Sequence, residues 1–121
     1  MYIKLLKSKV HLANITDKNL FYEGSLTLDK EIVAKANLKP FEAVWIYNVN
    51  NGERFETYLI EGKKGEVILN GAAARKGEIG DKIIIVAFSW VLEEELKNFQ
   101  TTLVYLNESN EIKEIKSISY S

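Results

Sequence analysis

The sequence predicts a mainly β protein, a small β-barrel of about six short strands with two short helices. Apolar and polar residues alternate with period two along most of the chain, as in half-buried strands. Turn residues separate the alternating segments, and no helix long enough for a crossover between parallel strands lies among them. A small barrel is therefore favoured over a doubly wound parallel sheet.

The strands are predicted from alternating runs and, at residues 82–90, from a continuous apolar run of buried-strand length. Residues 2–15 form the first strand, with a change of buried face near Ser8 because the alternation shifts there. The other predicted strands span residues 20–28, 43–49, 54–60, 67–70, 82–90 and 101–106.

Caps and turns complete the predicted elements. A short helix is expected at 30–37, with Asp29 as its N-cap and Pro40 as its stop, and a second at 92–97. The segment Asn50-Asn51-Gly52 predicts a hairpin, because Asn and Gly tolerate the positive φ of tight turns. A polar tail follows residue 106.

Composition limits the class of protein. A chain of 121 residues fits one domain, and no apolar run approaches the length that spans a membrane. The net charge of −1 does not favour nucleic acid as a partner. Cysteine is absent, so neither disulfides nor thiolate metal sites are expected. These features predict a cytoplasmic location.

The dipeptide Gly24-Ser25 interrupts a run that otherwise alternates like a strand, LFYEGSLTLD at 20–29. The simplest interpretation is a turn or a bulge. The functional alternative is self-cleavage, because a glycine can hold a distorted backbone that exposes its carbonyl carbon to the neighbouring hydroxyl. Attack by Ser25, followed by elimination and hydrolysis, would leave a pyruvoyl ketone, which can act as an electron sink like pyridoxal phosphate.

A second motif, RFETY at 54–58, fits an ordinary amphipathic strand but also carries chemistry. Arg54 can hold a carboxylate, Thr57 can orient an oxygen, and Tyr58 can donate a proton. On a regular strand Thr57 and Tyr58 point in opposite directions. They share one pocket only if the strand bends; otherwise they face pockets on either side of a subunit boundary, which predicts an oligomer.

The small residues of NGAAAR at 70–75 fit a strand end that enters a helical turn. They also leave successive backbone N–H groups exposed, and such groups can hold an anion, for example a substrate carboxylate. His11, the single histidine, is more simply a structural residue than a catalyst. Without a second histidine or any cysteine, a zinc site is not expected.

Together these motifs resemble one family. The runs LKSKVHLA, LFYEGSLTLD, YNVNNGERFETY and LNGAAAR…GDKIII closely resemble, in this order, bacterial aspartate 1-decarboxylases, pyruvoyl-dependent enzymes that make β-alanine for pantothenate. The resemblance covers residues 1–106. It implies a six-stranded double-psi β-barrel and a homotetramer with sites at subunit interfaces. It also implies self-cleavage into chains of residues 1–24 and 25–121.

The resemblance implies roles for individual residues. Ser25 supplies the covalent pyruvoyl group, which forms a Schiff base with L-aspartate, and Tyr58 donates the proton after carbon dioxide departs. No metal is implied. The residues implied to bind substrate are Thr57, Gly71, Ala72, Ala73, Arg54 and Lys9. Those implied to line the pocket are His11, Tyr22, Asn70 and Tyr47, which stands where relatives often have tryptophan.

Two other functions stay open at this point. A barrel of related topology can be a non-enzymatic binding or regulatory module, with Gly24-Ser25 as an inert turn. A barrel that binds single-stranded nucleic acid is the third possibility, but the near-neutral charge and the presence of only two arginines argue against it.

Overall fold

The computed structural model describes residues 1–120 and is built mainly of β-strands, as predicted. Within these residues lie nine strands, one α-helix and two 3-10 helices. The strands are β1 (Tyr2–Asn14), β2 (Asp17–Asn19), β3 (Ser25–Asp29), β4 (Ala43–Asn48), β5 (Arg54–Gly62), β6 (Val67–Asn70), β7 (Lys82–Leu92), β8 (Gln100–Leu106) and β9 (Ile112–Ser119). The helix is α1 (Lys30–Lys35), and the 3-10 helices are Gly71–Lys76 and Glu93–Asn98. The strands neighbour one another in the order β2-β6-β3-β5-β4-β7-β1-β8-β9, a small mixed sheet that does not close on itself.

Two strands lie where the sequence predicts none. β2 has three residues and lies between the predicted strands 2–15 and 20–28, in a segment too short to show any periodicity. β9 lies in the segment predicted only as a polar tail, and it pairs antiparallel with β8. Most of β9 is exposed at the edge of the sheet, so it does not need the apolar alternation that marks a half-buried strand.

Three boundaries differ from the prediction. Strand β3 begins at Ser25, so residues 20–24 form a loop instead of the first half of a strand. Helix α1 ends at Lys35, two residues early, because Asn37 adopts the left-handed conformation (φ 59°) that ends helices. The second predicted helix is the 3-10 helix Glu93–Asn98.

The predicted change of face in β1 is confirmed. The pairing of β1 with β7 shifts register between Leu6 and Ser8, and again between Val10 and Ala13, where Leu12 has a φ of 62°. Each bulge adds a residue to one strand and bends it. As a result Ser8, Val10 and Ala13 are all buried.

The position of β3 decides what surrounds Gly24 and Ser25. β3 lies between β5, which is parallel to it, and β6, which is antiparallel. Ser25 is opposite Asn70 of β6, and Leu26 is opposite Leu59 of β5. The start of β3 therefore lies beside Tyr58, the residue before Leu59, and beside the 3-10 helix that follows Asn70.

A single core packs beneath this sheet and α1. Its largest fully buried side chains are Ile15, Leu26, Leu28, Ile32, Ile46, Leu59, Leu69, Ile83 and Ile85. At roughly 1.5–3 kcal/mol for each buried aliphatic side chain, this core is the main source of stability. No helix between Met1 and Tyr120 combines the length and the hydropathy needed to cross a lipid bilayer.

The hairpin between β4 and β5 is confirmed, although its turn is longer than the tight one predicted. Gly52 is left-handed (φ 78°), and the side-chain oxygen of Asn48 accepts hydrogen bonds from the backbone N–H groups of Asn50 and Asn51. The Asn48 amide nitrogen donates to the carbonyl of Lys76, at 3.2 Å. The buried Asn48 therefore ties this hairpin to the end of the 3-10 helix Gly71–Lys76.

Candidate active site

Ser25 is buried at the first position of β3, and only 1% of its surface is exposed. Its Oγ accepts a hydrogen bond from the side-chain amide of Asn70, at 3.0 Å, and lies 3.4 Å from the carbonyl oxygen of Glu23, to which it donates. The pairing of β3 with β6 brings the two side chains together, since Ser25 and Asn70 are opposite each other. The hydroxyl is thus oriented by the protein and kept from bulk water.

The left-handed glycine of this site is Gly71, not Gly24. Gly71 has a φ of 62°, whereas the φ of Gly24 lies outside the left-handed region. A Cβ on Gly71 would lie 2.7 Å from Gly24 Cα and 2.8 Å from Gly24 N. Gly24 thus has no left-handed φ, and the Gly71 backbone contacts it closely, an approach that only a residue without a side chain allows.

A cavity of about 370 Å³ opens beside the Gly24-Ser25 bond. A Cβ added to Gly24 would meet no atom within 4 Å, so the peptide is approachable from that side. The residues lining the cavity are Gly24, Phe55, Glu56, Thr57, Tyr58, Ala72, Ala73 and Lys76. Its volume falls in the range of small-molecule sites.

Thr57 and Tyr58 both line this one cavity, although they are adjacent on β5. The pairing of β5 supplies a reason. Up to Tyr58 it pairs with β4, and from Leu59 onward it pairs with β3. The strand passes from one partner to the other at this point, so the simple two-sided alternation does not separate the two side chains.

Arg54 and Tyr47 form a pair away from this cavity. They are opposite each other on β5 and β4, and the guanidinium carbon lies 3.8 Å from the centre of the tyrosine ring. This distance is typical of a cation–π contact. Arg54 is exposed, so its charge faces solvent in the isolated chain.

Lys9 and His11 lie on β1, which is separated from β5 by β4 and β7. Neither residue lines the cavity beside Gly24. The ring of His11 meets that of Tyr105 edge to face, at 5.6 Å, and its buried Nδ1 has no hydrogen-bond partner among residues 1–120. Burial lowers the pKa of His11, and the charges of Lys9 and Lys113 lower it further, so the imidazole is neutral at pH 7.

Tyr22 lies in the loop before Gly24, and about half of its side chain is exposed. Its carbonyl oxygen would lie 3.0 Å from a Cβ on Gly71, so its backbone, but not its ring, belongs to the packed part of the site. Sequence reasoning missed Phe55, Glu56 and Lys76 as lining residues. Lys76 lines the cavity, and its ammonium group is paired with Glu53 at 3.2 Å.

The site thus combines a buried serine, a glycine backbone open to a cavity, and a hydroxyl-bearing pair on β5. Between Met1 and Tyr120, no three His, Asp or Glu side chains are grouped so that they could hold a metal ion. The arrangement suits chemistry at the Gly24-Ser25 peptide and binding of a small polar molecule.

Comparison with known proteins assigns the family. The aspartate decarboxylase family model matches residues 1–113. An aspartate 1-decarboxylase of Sulfurihydrogenibium sp. (strain YO3AOP1) is 57% identical over 121 residues, which cover 98% of this chain and 90% of the relative. The chain belongs to the aspartate decarboxylase family.

Two further relatives carry the same name. An aspartate 1-decarboxylase of Persephonella marina is 60% identical over 110 residues, 89% of this chain and 79% of the relative. One of Campylobacter fetus subsp. fetus is 54% identical over 115 residues, 94% of this chain and all of the relative.

Replacing Gly71 with alanine is expected to slow the predicted self-cleavage between Gly24 and Ser25 at least about tenfold. The new Cβ would press against the Gly24 backbone, and the left-handed φ would add strain of about 1–3 kcal/mol. The rate is measured by denaturing mass spectrometry on freshly made chain. Gly52→Ala is the matched control, because Gly52 has a similar φ of 78° with no atom within 4 Å of its Cβ position. Equal cleavage in the two variants would contradict the role of the Gly71–Gly24 contact.

Proposed function

We propose that this chain decarboxylates L-aspartate to β-alanine and carbon dioxide, after cutting itself between Gly24 and Ser25. Membership of the aspartate decarboxylase family supports the reaction. The observation that carries the self-cleavage is the placement of Ser25, whose hydroxyl is buried, held by Asn70, and adjacent to a peptide open to a cavity.

The proposed cleavage needs only the chain itself and one water molecule. Attack of Ser25 Oγ on the Gly24 carbonyl carbon forms a C–O bond and breaks the peptide C–N bond, and the hydroxyl proton passes to the nitrogen. The ester then loses the Ser25 α-proton and expels the Gly24 carboxylate, which leaves dehydroalanine. Water releases the nitrogen as ammonia, so that residue 25 becomes a pyruvoyl group at the head of the 25–121 chain.

The residues around position 25 fit a pyruvoyl group. The side-chain nitrogen of Asn70, 3.0 Å from Ser25 Oγ in the uncut chain, would remain as a hydrogen-bond donor beside residue 25 after that oxygen has left with Gly24, and the adjoining space is open to the new keto group. When formed, this ketone would bind the substrate amine and accept the electrons left by departing carbon dioxide.

The chain's own side chains would handle the substrate and one proton. Tyr58 lines the cavity, where its hydroxyl would deliver a proton to the carbon that has lost its carboxyl group. Thr57 would orient an oxygen of the substrate. The backbone at Gly71, Ala72 and Ala73, where the 3-10 helix begins, would bind a carboxylate through N–H groups.

The remaining cations argue for an assembly of several copies. Aspartate carries two carboxylates, yet Lys9 and Arg54 do not line the cavity of a single chain. Phe41, whose ring centre lies 6.3 Å from that of Tyr58, is 74% exposed, as expected for a contact surface next to the site. The proposed enzyme is a homotetramer in which neighbouring chains bring Lys9 and Arg54 to the substrate carboxylates, together with the neutral His11. Its place is β-alanine supply for pantothenate in the cytoplasm.

Intact mass tests this proposal. Under denaturing conditions the mature protein is expected to separate into pieces of 24 and 97 residues, the longer one headed by a pyruvoyl group. The same preparation should convert L-aspartate to β-alanine, measured by chromatography of the products. A single unbroken chain without activity is the result expected of a binding module. An unbroken chain that still forms β-alanine would contradict the pyruvoyl mechanism while leaving the reaction in place.

A further inference from the structure

A buried network of three side chains extends beyond Ser25. The side-chain nitrogen of Asn70 lies 3.0 Å from Ser25 Oγ and 2.8 Å from the hydroxyl oxygen of Thr27. Ser25, Thr27 and Asn70 are each at most 9% exposed. Ser25 and Thr27 are two residues apart on β3, so their side chains lie on the same face.

Both hydrogens of the Asn70 amide are used in this network. A carboxamide nitrogen has two hydrogens, and here each is directed to one hydroxyl oxygen. The terminal torsion of an asparagine side chain has only broad preferences, so a single bond would leave the amide plane free to rotate. The second bond, to Thr27, removes that freedom and holds the other hydrogen on Ser25.

Thr27 is itself fixed by β5. A Cβ on Gly62 would lie 2.5 Å from the methyl carbon of Thr27, so this methyl group occupies the space that the glycine leaves. Threonine has a β-branched side chain with few allowed rotamers. With its methyl group seated against Gly62, its hydroxyl points toward β6 and Asn70.

We propose that Thr27 is a positioning residue for the cleavage of the Gly24-Ser25 bond. It acts through Asn70: the doubly bonded amide holds one lone pair of Ser25 Oγ and leaves the other for the Gly24 carbonyl carbon. The Ser25 hydrogen stays directed to Glu23, at 3.4 Å. This inference rests on the proposed self-cleavage and assigns Thr27 no contact with substrate.

Thr27→Val tests the inference, since valine keeps the shape and loses the hydroxyl. Cleavage of freshly synthesised chain, followed by denaturing mass spectrometry over time, is expected to slow about tenfold, while Thr27→Ser stays within about threefold of the wild-type rate. The matched control is Thr101→Val. It removes another part-buried threonine hydrogen bond, to the carbonyl of Leu6 at 2.7 Å, on a distant strand. This control should cleave at the wild-type rate.

Circular dichroism melting of each uncut chain separates positioning from folding. If Thr27→Val has a lower melting temperature than the wild type, Thr27→Ala and Thr27→Ser are compared instead, because these two variants differ by one hydroxyl group. The serine variant is expected to cleave about tenfold faster than the alanine variant. If the wild-type chain is cleaved, and variants with and without the hydroxyl at position 27 cleave at equal rates, the positioning role of Thr27 is overturned while the proposed self-cleavage stands. Absence of cleavage in the wild-type chain overturns both this role and the proposed self-processing.

Discussion

Replacing Ser25 with alanine is expected to give a folded chain of 121 residues that is never cut and forms no β-alanine. Alanine lacks the oxygen that would attack Gly24, so neither the ester nor the pyruvoyl group can form. The change also leaves one hydrogen of the buried Asn70 amide without its partner. An unpaired buried donor costs about 1–3 kcal/mol, a loss that a well-packed domain of this size survives. Intact mass measures whether the chain is cut, and product analysis measures whether β-alanine is formed.

Ser8→Ala is the matched control for this loss. Ser8 is equally buried, at 1% exposure, and its hydroxyl donates to the carbonyl of Ala36 in a distant part of the core. It should show a similar drop in melting temperature together with normal cleavage. If Ser25→Ala still yielded the two pieces, the nucleophile would be another group. If it formed β-alanine as an uncut chain, position 25 would have no part in the reaction.

Changing Tyr58 to phenylalanine is expected to spare cleavage and to lower turnover of L-aspartate about 100- to 10,000-fold, the range of a lost general acid. The ring packing next to Phe41 is kept, since phenylalanine has the same ring. Only the hydroxyl that would deliver the proton is removed. The two readouts, fraction of chain cut and kcat for β-alanine formation, should therefore separate in this variant.

Tyr2→Phe controls for the loss of a tyrosine hydroxyl. Tyr2 is 61% exposed at the start of β1 and lies outside the cavity. Its variant should match the wild type in both readouts. Unchanged kcat in Tyr58→Phe would remove Tyr58 as the proton donor. Loss of cleavage in Tyr58→Phe would instead place its hydroxyl in the maturation step.

Much of this molecule could be predicted from alternation and turn chemistry. Seven of the nine strands between Met1 and Tyr120 correspond to predicted segments, marked either by period-two alternation or, as at residues 83–88, by a continuous apolar run. The change of face near Ser8 was visible for the same reason, because a bulge shifts the alternation by one residue. The edge strand β9 was not predicted, because both of its faces are mostly exposed and such a strand needs no alternation of apolar residues.

The residues of the candidate site were predicted mainly from the resemblance to a known family, and less from the chemistry and spacing of the residues themselves. Gly24, Ser25, Thr57, Tyr58, Ala72 and Ala73 stand in motifs whose order in the chain resembles one family, and five of them, all except the buried Ser25, line the cavity. Thr27 and Lys76 carried no such signal. Their importance comes from a hydrogen bond and a cavity wall, which exist only once β6 and its following 3-10 helix lie against β3 and β5.

The fold class and the family follow from the amino-acid sequence alone, because side-chain alternation and an ordered set of motifs are properties of the chain. Which strands pair with one another is known only from the folded molecule. Side chains alternate with the same period in parallel and antiparallel strands, so the sequence pattern does not predict that β3 and β5 pair in parallel. That pairing puts Tyr58 next to Ser25 and seats the Thr27 methyl group against Gly62. The antiparallel pairing of β3 with β6 places Gly71, which has a positive φ, against the Gly24 backbone. Contacts between residues far apart in sequence are set by packing, and packing is a property of the folded molecule.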